Sequence, residues 1–204
     1  MLEKINWLGH ASLRIDGDKV IYIDPWKIKD VSVKADIILV THSHFDHFSE
    51  DDIIKISNQT TILYSSKDVV EKTSIKNKYV IKPFEEVSLD RVKIKGFPAY
   101  NVNKDFHPKD NNWLGFVITI DNFSIYVAGD SDVIEEAKKL KVNLMILPIG
   151  GVYTMNFKEA AELVNITRPD YAIPYHFGDI VGSIDDAISF KSLIKPPTVV
   201  EIKR

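Results

Sequence analysis

The sequence predicts a mixed α/β domain of the α+β kind, and three observations lead there. Short β-branched and apolar runs separated by turn residues crowd the first half of the chain. From Asp132 onward, helix-capping patterns alternate with further strand-like runs. At 204 residues and 45% hydrophobic content, the chain supplies one sizeable core and is short for two, so residues 1–204 are expected to form a single domain.

Taken in order, the runs at residues 3–8, 11–15, 19–23, 36–40, 60–64, 86–97, 114–120 and 124–128 read as strands. The run at 36–40 is apolar at every position after Asp36, which suits a strand buried on both faces. Further strands are expected at 143–147, 171–174 and 198–202. The pairs Asp132 with Glu135, Asn156 with Glu159 and Ser183 with Asp186 place an acid three positions after a capping side chain. They predict helices near 133–140, 157–166 and 184–194. Between Tyr100 and Trp113 runs a polar stretch, Asn101 to Asn112, without periodicity and too long for a hairpin turn. Long loops in compact domains commonly carry function, so this one is expected to form the rim of an active site.

Composition narrows the function classes. No apolar run reaches the length of a membrane span, and the N-terminus lacks the charged-then-apolar order of a signal peptide. A soluble, cytoplasmic protein without membrane partners is the expectation. With no cysteine, thiolate ligands, disulfides and a cysteine nucleophile are excluded, and any metal site must be built from histidine and carboxylate. A net charge of -3 with scattered lysines gives no basic stripe, so nucleic acid is not an expected partner. A small-molecule substrate is expected instead, and a homo-oligomer is compatible with the composition.

Chemistry concentrates in His42-Ser43-His44-Phe45-Asp46-His47, directly after the strand at 36–40. In an extended chain, residues two apart point the same way, so His42 and His44 can converge on one ion. The chain then turns toward Ser49, a helix N-cap by type, and Asp46 and His47 can face a second position. A catalytic zinc ion takes about three protein ligands and one solvent position, so this density of ligands points to more than one ion.

All six histidines, at positions 10, 42, 44, 47, 107 and 176, sit in turns or at strand ends. Asp130 follows Gly129 at the end of a strand, where it is either a ligand turned outward or an acid serving a turn or helix start. His176, in Pro174-Tyr175-His176, is either a ligand or a packed histidine. Asp24 precedes Pro25 at a strand end: a turn former, or a buried carboxylate that accepts the outer N–H of a ligating histidine. His10, in Gly9-His10-Ala11-Ser12, is a ligand, a substrate contact or a turn residue, with a substrate contact or a support for a ligand preferred. Gly150-Gly151 allows close backbone approach or serves as an ordinary strand-to-helix connection, and it is no Walker loop.

His-x-His-x-Asp-His after a strand, the later Gly129-Asp130-Ser131 and Pro174-Tyr175-His176 resemble, over nearly the whole chain, the metallo-β-lactamase superfamily of binuclear hydrolases. Gly9 to Ser12, Ile23-Asp24-Pro25-Trp26 and Gly150 to Met155 resemble the branch containing ascorbate-6-phosphate lactonase-like proteins. The resemblance implies a four-layer αββα sandwich with metals at one edge, where strand ends meet. It also implies that His42 and His44 hold a first metal, that Asp46, His47 and His176 hold a second, that Asp130 bridges the two, and that Asp24 supports a ligand. Relatives supply a third histidine to the first metal after a middle strand, where this chain reads Phe97-Pro98-Ala99-Tyr100-Asn101. Either His107 reaches back from the polar loop, the favoured reading, or Asn101 or water takes its place.

The expected activity is that of a binuclear hydrolase. Two divalent ions about 3.5 Å apart make a bridging hydroxide near neutral pH, and Asp46 and Asp130 orient its attack on a small ester or lactone, or secondarily a phosphoester. Zinc is the default metal, with Mn²⁺ or Fe²⁺ compatible with the same ligands. Asn101, Tyr153 and His10 are the expected substrate contacts. Tyr100, Phe106, Trp113 and Tyr153 are candidates for an apolar rim, as is Trp26, with Lys104, Lys109, Asn111 or Asn112 available to a polar or anionic group. The alternatives are non-hydrolytic: a di-iron redox protein or a metal-stabilised binding protein.

Overall fold

The computed structural model describes residues 1–203, whose strands assemble into two sheets. The first contains β1 (Ile5–Gly9), β2 (Ser12–Ile15), β3 (Ile21–Ile23), β4 (Ile37–Val40), β5 (Ile62–Ser65) and β6 (Asn77–Val80) in that spatial order. The second contains β7 (Glu86–Leu89), β8 (Val92–Pro98), β9 (Leu114–Ile120), β10 (Phe123–Val127), β11 (Leu144–Pro148), β12 (Tyr171–Tyr175) and β13 (Val199–Val200), again neighbours in chain order. Each sheet begins antiparallel and turns parallel, from β3 to β6 in one and from β10 to β13 in the other. Parallel neighbours end on the same edge, so each sheet gathers several C-terminal strand ends side by side.

Strand alternation sorts the apolar side chains into layers. Ile37 and Leu39 of β4 join the cluster between the sheets, where they share a core with Phe116, Ile118, Ile125, Val127 and Ile146 of the second sheet. Ile38 and Val40 turn the other way, onto Ile53 and Ile56 of α1 (Glu50–Ile56) and Val69 of α2 (Lys67–Lys72). Tyr126, Met145 and Leu147 likewise turn outward, onto Leu163 and Val164 of α3 (Phe157–Thr167) and Phe190 of α4 (Ile184–Leu193). The result is the four-layer αββα sandwich. Among the described residues, no helix is long and apolar enough to cross a membrane.

Two capping boxes form as expected, at Asn156 with Glu159 and at Ser183 with Asp186. The third does not. Asp132 accepts from Val102 N at 2.9 Å and pairs with Lys104, so its carboxylate pins the polar loop and leaves no cap. Residues 133–140 hold only a 3-10 turn at Ala137–Lys139 in place of the expected helix. The run at 86–97 is two strands rather than one, folded back at Asp90, whose φ of 55° is one that aspartate tolerates. The short helices α1 and α2 and the polar edge strand β6 were not among the expected elements, although Ser49 does cap α1 by accepting from Asp52 N.

Leu39 is fully buried between the sheets, whereas Ile54 on α1 is 52% exposed. Leu39→Ala should lower stability by about 2–5 kcal/mol and Ile54→Ala by no more than about 0.5 kcal/mol, read from urea unfolding. Equal effects would contradict the layering.

Candidate metal centre and cleft

The parallel strand ends deliver the ligand-type side chains to one edge. Because Ile23 pairs with Leu39, Asp24 after β3 and Thr41 after β4 emerge side by side. In the second sheet, β10 and β12 flank β11 in parallel and present Asp130 and His176 beyond their ends. Gly129 is required there: its φ is +64°, and a Cβ would run into the Leu114 carbonyl. At Gly150 a Cβ would meet the Val181 side chain, so the close approach this glycine permits is to the loop carrying His176. Backbone bonds tie the sheets together at this edge, from Leu114 N to Thr41 O at 3.0 Å and from His176 N to His10 O at 2.8 Å.

The polar loop supplies the remaining histidine. Asn101 N donates to His107 O at 2.8 Å and His107 N donates to Asn101 Oδ1 at 2.9 Å, closing the loop on itself. This carries His107 to His42 and His44, with the three ligand atoms within 4.8 Å of one another. Asn101 stands behind His107, its amide engaged by that histidine and by Tyr153 O at 2.9 Å.

Outer hydrogen bonds orient the imidazoles. His47 Nδ1 donates to Asp24 Oδ2 at 2.7 Å, His42 Nδ1 lies 2.9 Å from Thr41 Oγ1, and His107 Nδ1 lies 3.1 Å from Asn101 Oδ1. Asp24 also accepts from Thr41 N and Thr41 Oγ1. With each Nδ1 held by an outer oxygen, the Nε2 atoms of all three rings point into the centre. There His42 Nε2 faces His44 Nδ1 at 3.0 Å, and His47 Nε2 faces His176 Nε2 at 3.2 Å.

Asp130 lies between these sets. Its Oδ1 is 3.2 Å from His47 Nε2 and 3.1 Å from His176 Nε2, while Oδ2 is 3.2 Å from His107 Nε2. Asp46 Oδ2 lies 3.6 Å from both His47 Nε2 and His176 Nε2 and accepts from His10 Nε2 at 3.1 Å. The buried His107 Nε2 and Asp130 Oδ1 have no hydrogen-bond partner. Inward ring nitrogens facing one another beside buried carboxylates are a donor set that cations satisfy by displacing any proton held there, and nitrogen and oxygen ligands alone suit zinc, manganese or iron.

The charges are strongly coupled. Burial opposes the charge on Asp130, yet the nearby His176 and His47, with His107 also facing it, hold its carboxyl well below the usual range. Burial likewise opposes ionisation of Asp46, and the hydrogen bond from His10, with His176 and His47 close by, overcomes it and lowers its pKa. Against burial, Asp130 pushes His47 well up, and His176 up to about 9. Burial pushes His10, His42 and His44 down.

Above this floor opens a cleft of about 260 Å³. His44, Asp46, His107 and Asp130 form its polar part, and Phe45, Phe106, Tyr153 and Ile180 its apolar part. Of the expected rim, Phe106 and Tyr153 are present, their rings edge to face at 4.8 Å. Trp113 stands behind His42 and His44, 4.8 Å from each ring, and its Nε1 donates to Asp68. Tyr100 and Lys109 pair with Glu136, and Lys104 with Asp132, away from the cleft. Trp26 packs on His10. Phe45, Ile180 and the brace through Thr41 were not anticipated. Phe45 and Thr41 lie in or beside the hexapeptide, but no spacing rule marks them, and nothing local marks Ile180.

Asp24→Asn keeps an oxygen for Thr41 N and removes the charge behind His47. It should weaken metal binding about 10- to 100-fold with the fold intact by circular dichroism, as read by chelator competition. Unchanged affinity would refute the bracing role.

The β-lactamase superfamily domain matches residues 4–176 of the chain. A UPF0173 metal-dependent hydrolase of Thermococcus onnurineus is 31% identical over 94% of this chain and 92% of its own length. Another from Pelotomaculum thermopropionicum is 32% identical over 98% of this chain and 95% of its own. Among solved structures, a chain of Parabacteroides distasonis named as a candidate metal-dependent hydrolase superposes with a TM-score of 0.88 at 31% identity, covering 98% of this chain and 91% of that one. The chain therefore belongs to the metallo-β-lactamase superfamily, within its UPF0173 group of metal-dependent hydrolases.

Proposed function

We propose that this chain is a binuclear hydrolase of a small ester or lactone, with a phosphoester as the second choice. The observation that carries the reading is Asp130, whose two oxygens face two separate sets of imidazole nitrogens. His42, His44 and His107 would hold one ion, Asp46, His47 and His176 the other, and Asp130 both. When bound, two divalent ions supply Lewis acidity, lowering the pKa of water and polarising the ester oxygen. Zinc is the default choice for this donor set.

The protein groups then have distinct work. Asp46 Oδ2 is held by His10, and its carboxylate at the cleft floor, with Asp130, orients the attacking water. Water adds to the acyl carbon, the bond to the leaving oxygen breaks, and the proton passes to that oxygen, giving acid and alcohol. Tyr153 and Phe106 border the space left for the rest of the substrate. Asp24 and Asn101 keep His47 and His107 in register through their outer nitrogens.

The test is a panel of lactones, carboxylic esters and phosphodiesters with zinc-reconstituted protein, using His44→Ala as the inactive control. Turnover should be found among esters or lactones, and Asp46→Asn should lower kcat by about 100- to 10,000-fold without loss of fold. Wild-type turnover by a folded, metal-loaded Asp46→Asn protein would contradict the mechanism, and silence across the panel would contradict the hydrolase reading.

A further inference from the structure

Three large apolar side chains at the cleft are open to solvent: Phe45 at 69%, Phe106 at 48% and Ile180 at 38% exposure. Phe45 follows a ligand-type histidine, Phe106 precedes another, and Ile180 comes from the loop beyond His176, so three separate segments bring carbon to one opening. Such a patch, continuous with a polar floor, has the composition of a binding cleft rather than of scattered surface hydrophobics.

Charge on the surrounding surface is already taken. Among the described residues no lysine or arginine lines the cleft. Lys104 pairs with Asp132, Lys109 with Glu136 at 3.3 Å, and Lys27 with Asp179 at 2.8 Å. Lys72 donates to Ser43 Oγ and is no part of the wall. The charged groups that do line the cleft include the carboxylates Asp46 and Asp130. Beyond the ion-holding floor, a phosphate or carboxylate on the non-reacting part of a substrate would find no protein cation to pair with.

We infer that the non-reacting part of the substrate is an uncharged apolar group, an acyl chain or aryl ring seated against Phe45, Phe106, Tyr153 and Ile180. This rests on the ester or lactone reading above and narrows it, away from sugar-phosphate lactones and toward apolar ones. The volume of about 260 Å³ admits a small molecule, so the occupant is a soluble substrate rather than a second macromolecule.

Two series on zinc-reconstituted protein test it: p-nitrophenyl esters from acetyl to decanoyl, read as kcat/KM, and straight-chain alkanamides from hexanamide to decanamide, read as Kd by calorimetry. Both should improve about fourfold per methylene until the cleft is full. Phe106→Ser and Ile180→Ser should flatten both slopes, and a terminal carboxylate on the chain should abolish the gain. Ester turnover that is flat with chain length, or that favours the charged ester, overturns the inference and leaves the hydrolase reading standing. A steep amide series without ester turnover supports the apolar wall and overturns the hydrolase reading. Flat series with a dimer in sedimentation that Phe106→Ser dissociates would assign the patch to a second copy and overturn the inference.

Discussion

The site turns on one buried carboxylate. Asp130 lies almost out of solvent with His47, His107 and His176 within about the reach of a hydrogen bond, and a charge in such a place persists only if it is compensated. The architecture around it serves that compensation. Parallel β10 and β12 end on the same edge, Gly129 lets the chain turn beneath the Leu114 carbonyl, and the opposite sheet brings His42 and His47 to meet them. Moving any of these elements would leave an acid or an imidazole buried without a partner.

A second tier of contacts fixes the imidazoles from behind. Asp24 and Thr41 brace His47 and His42, Asn101 braces His107, and Trp113 lies against His42 and His44. With their outer nitrogens occupied, these histidines present the inner nitrogen to the centre and lose little freedom on meeting a cation. The same edge divides sharply in character: nitrogen and carboxylate oxygen form the floor, phenyl and aliphatic groups the upper wall. On the proposed reading, that division would let one small cleft combine strong polarisation at the reacting centre with apolar recognition beside it.

Local chemistry explains which parts were legible in the sequence. The strand at 114–120 stood out because its apolar run is long and bounded, and the caps at Asn156 and Ser183 because each box is self-contained within four residues. Asp132 carries the same local signal, but its carboxylate answers to Val102 and Lys104 across the fold, a competition no window of sequence contains. The hexapeptide and Asp130 are readable as ligand-type residues at strand ends, and Asp24 as a carboxylate placed to support one. His107 required knowing how a polar loop closes, through the reciprocal bonds with Asn101. The lysines near the cleft looked free in sequence and are paired in space, and Trp113, a rim candidate by type, lies behind the histidines.

The central claim is that Asp130 is shared between two cation positions. Anomalous diffraction at the zinc edge from crystals of the zinc-reconstituted protein tests it directly. The account predicts two peaks, one among His42, His44 and His107, the other among Asp46, His47 and His176, with one oxygen of Asp130 turned toward each. A single peak, or a second peak with Asp130 turned away from it, would contradict it.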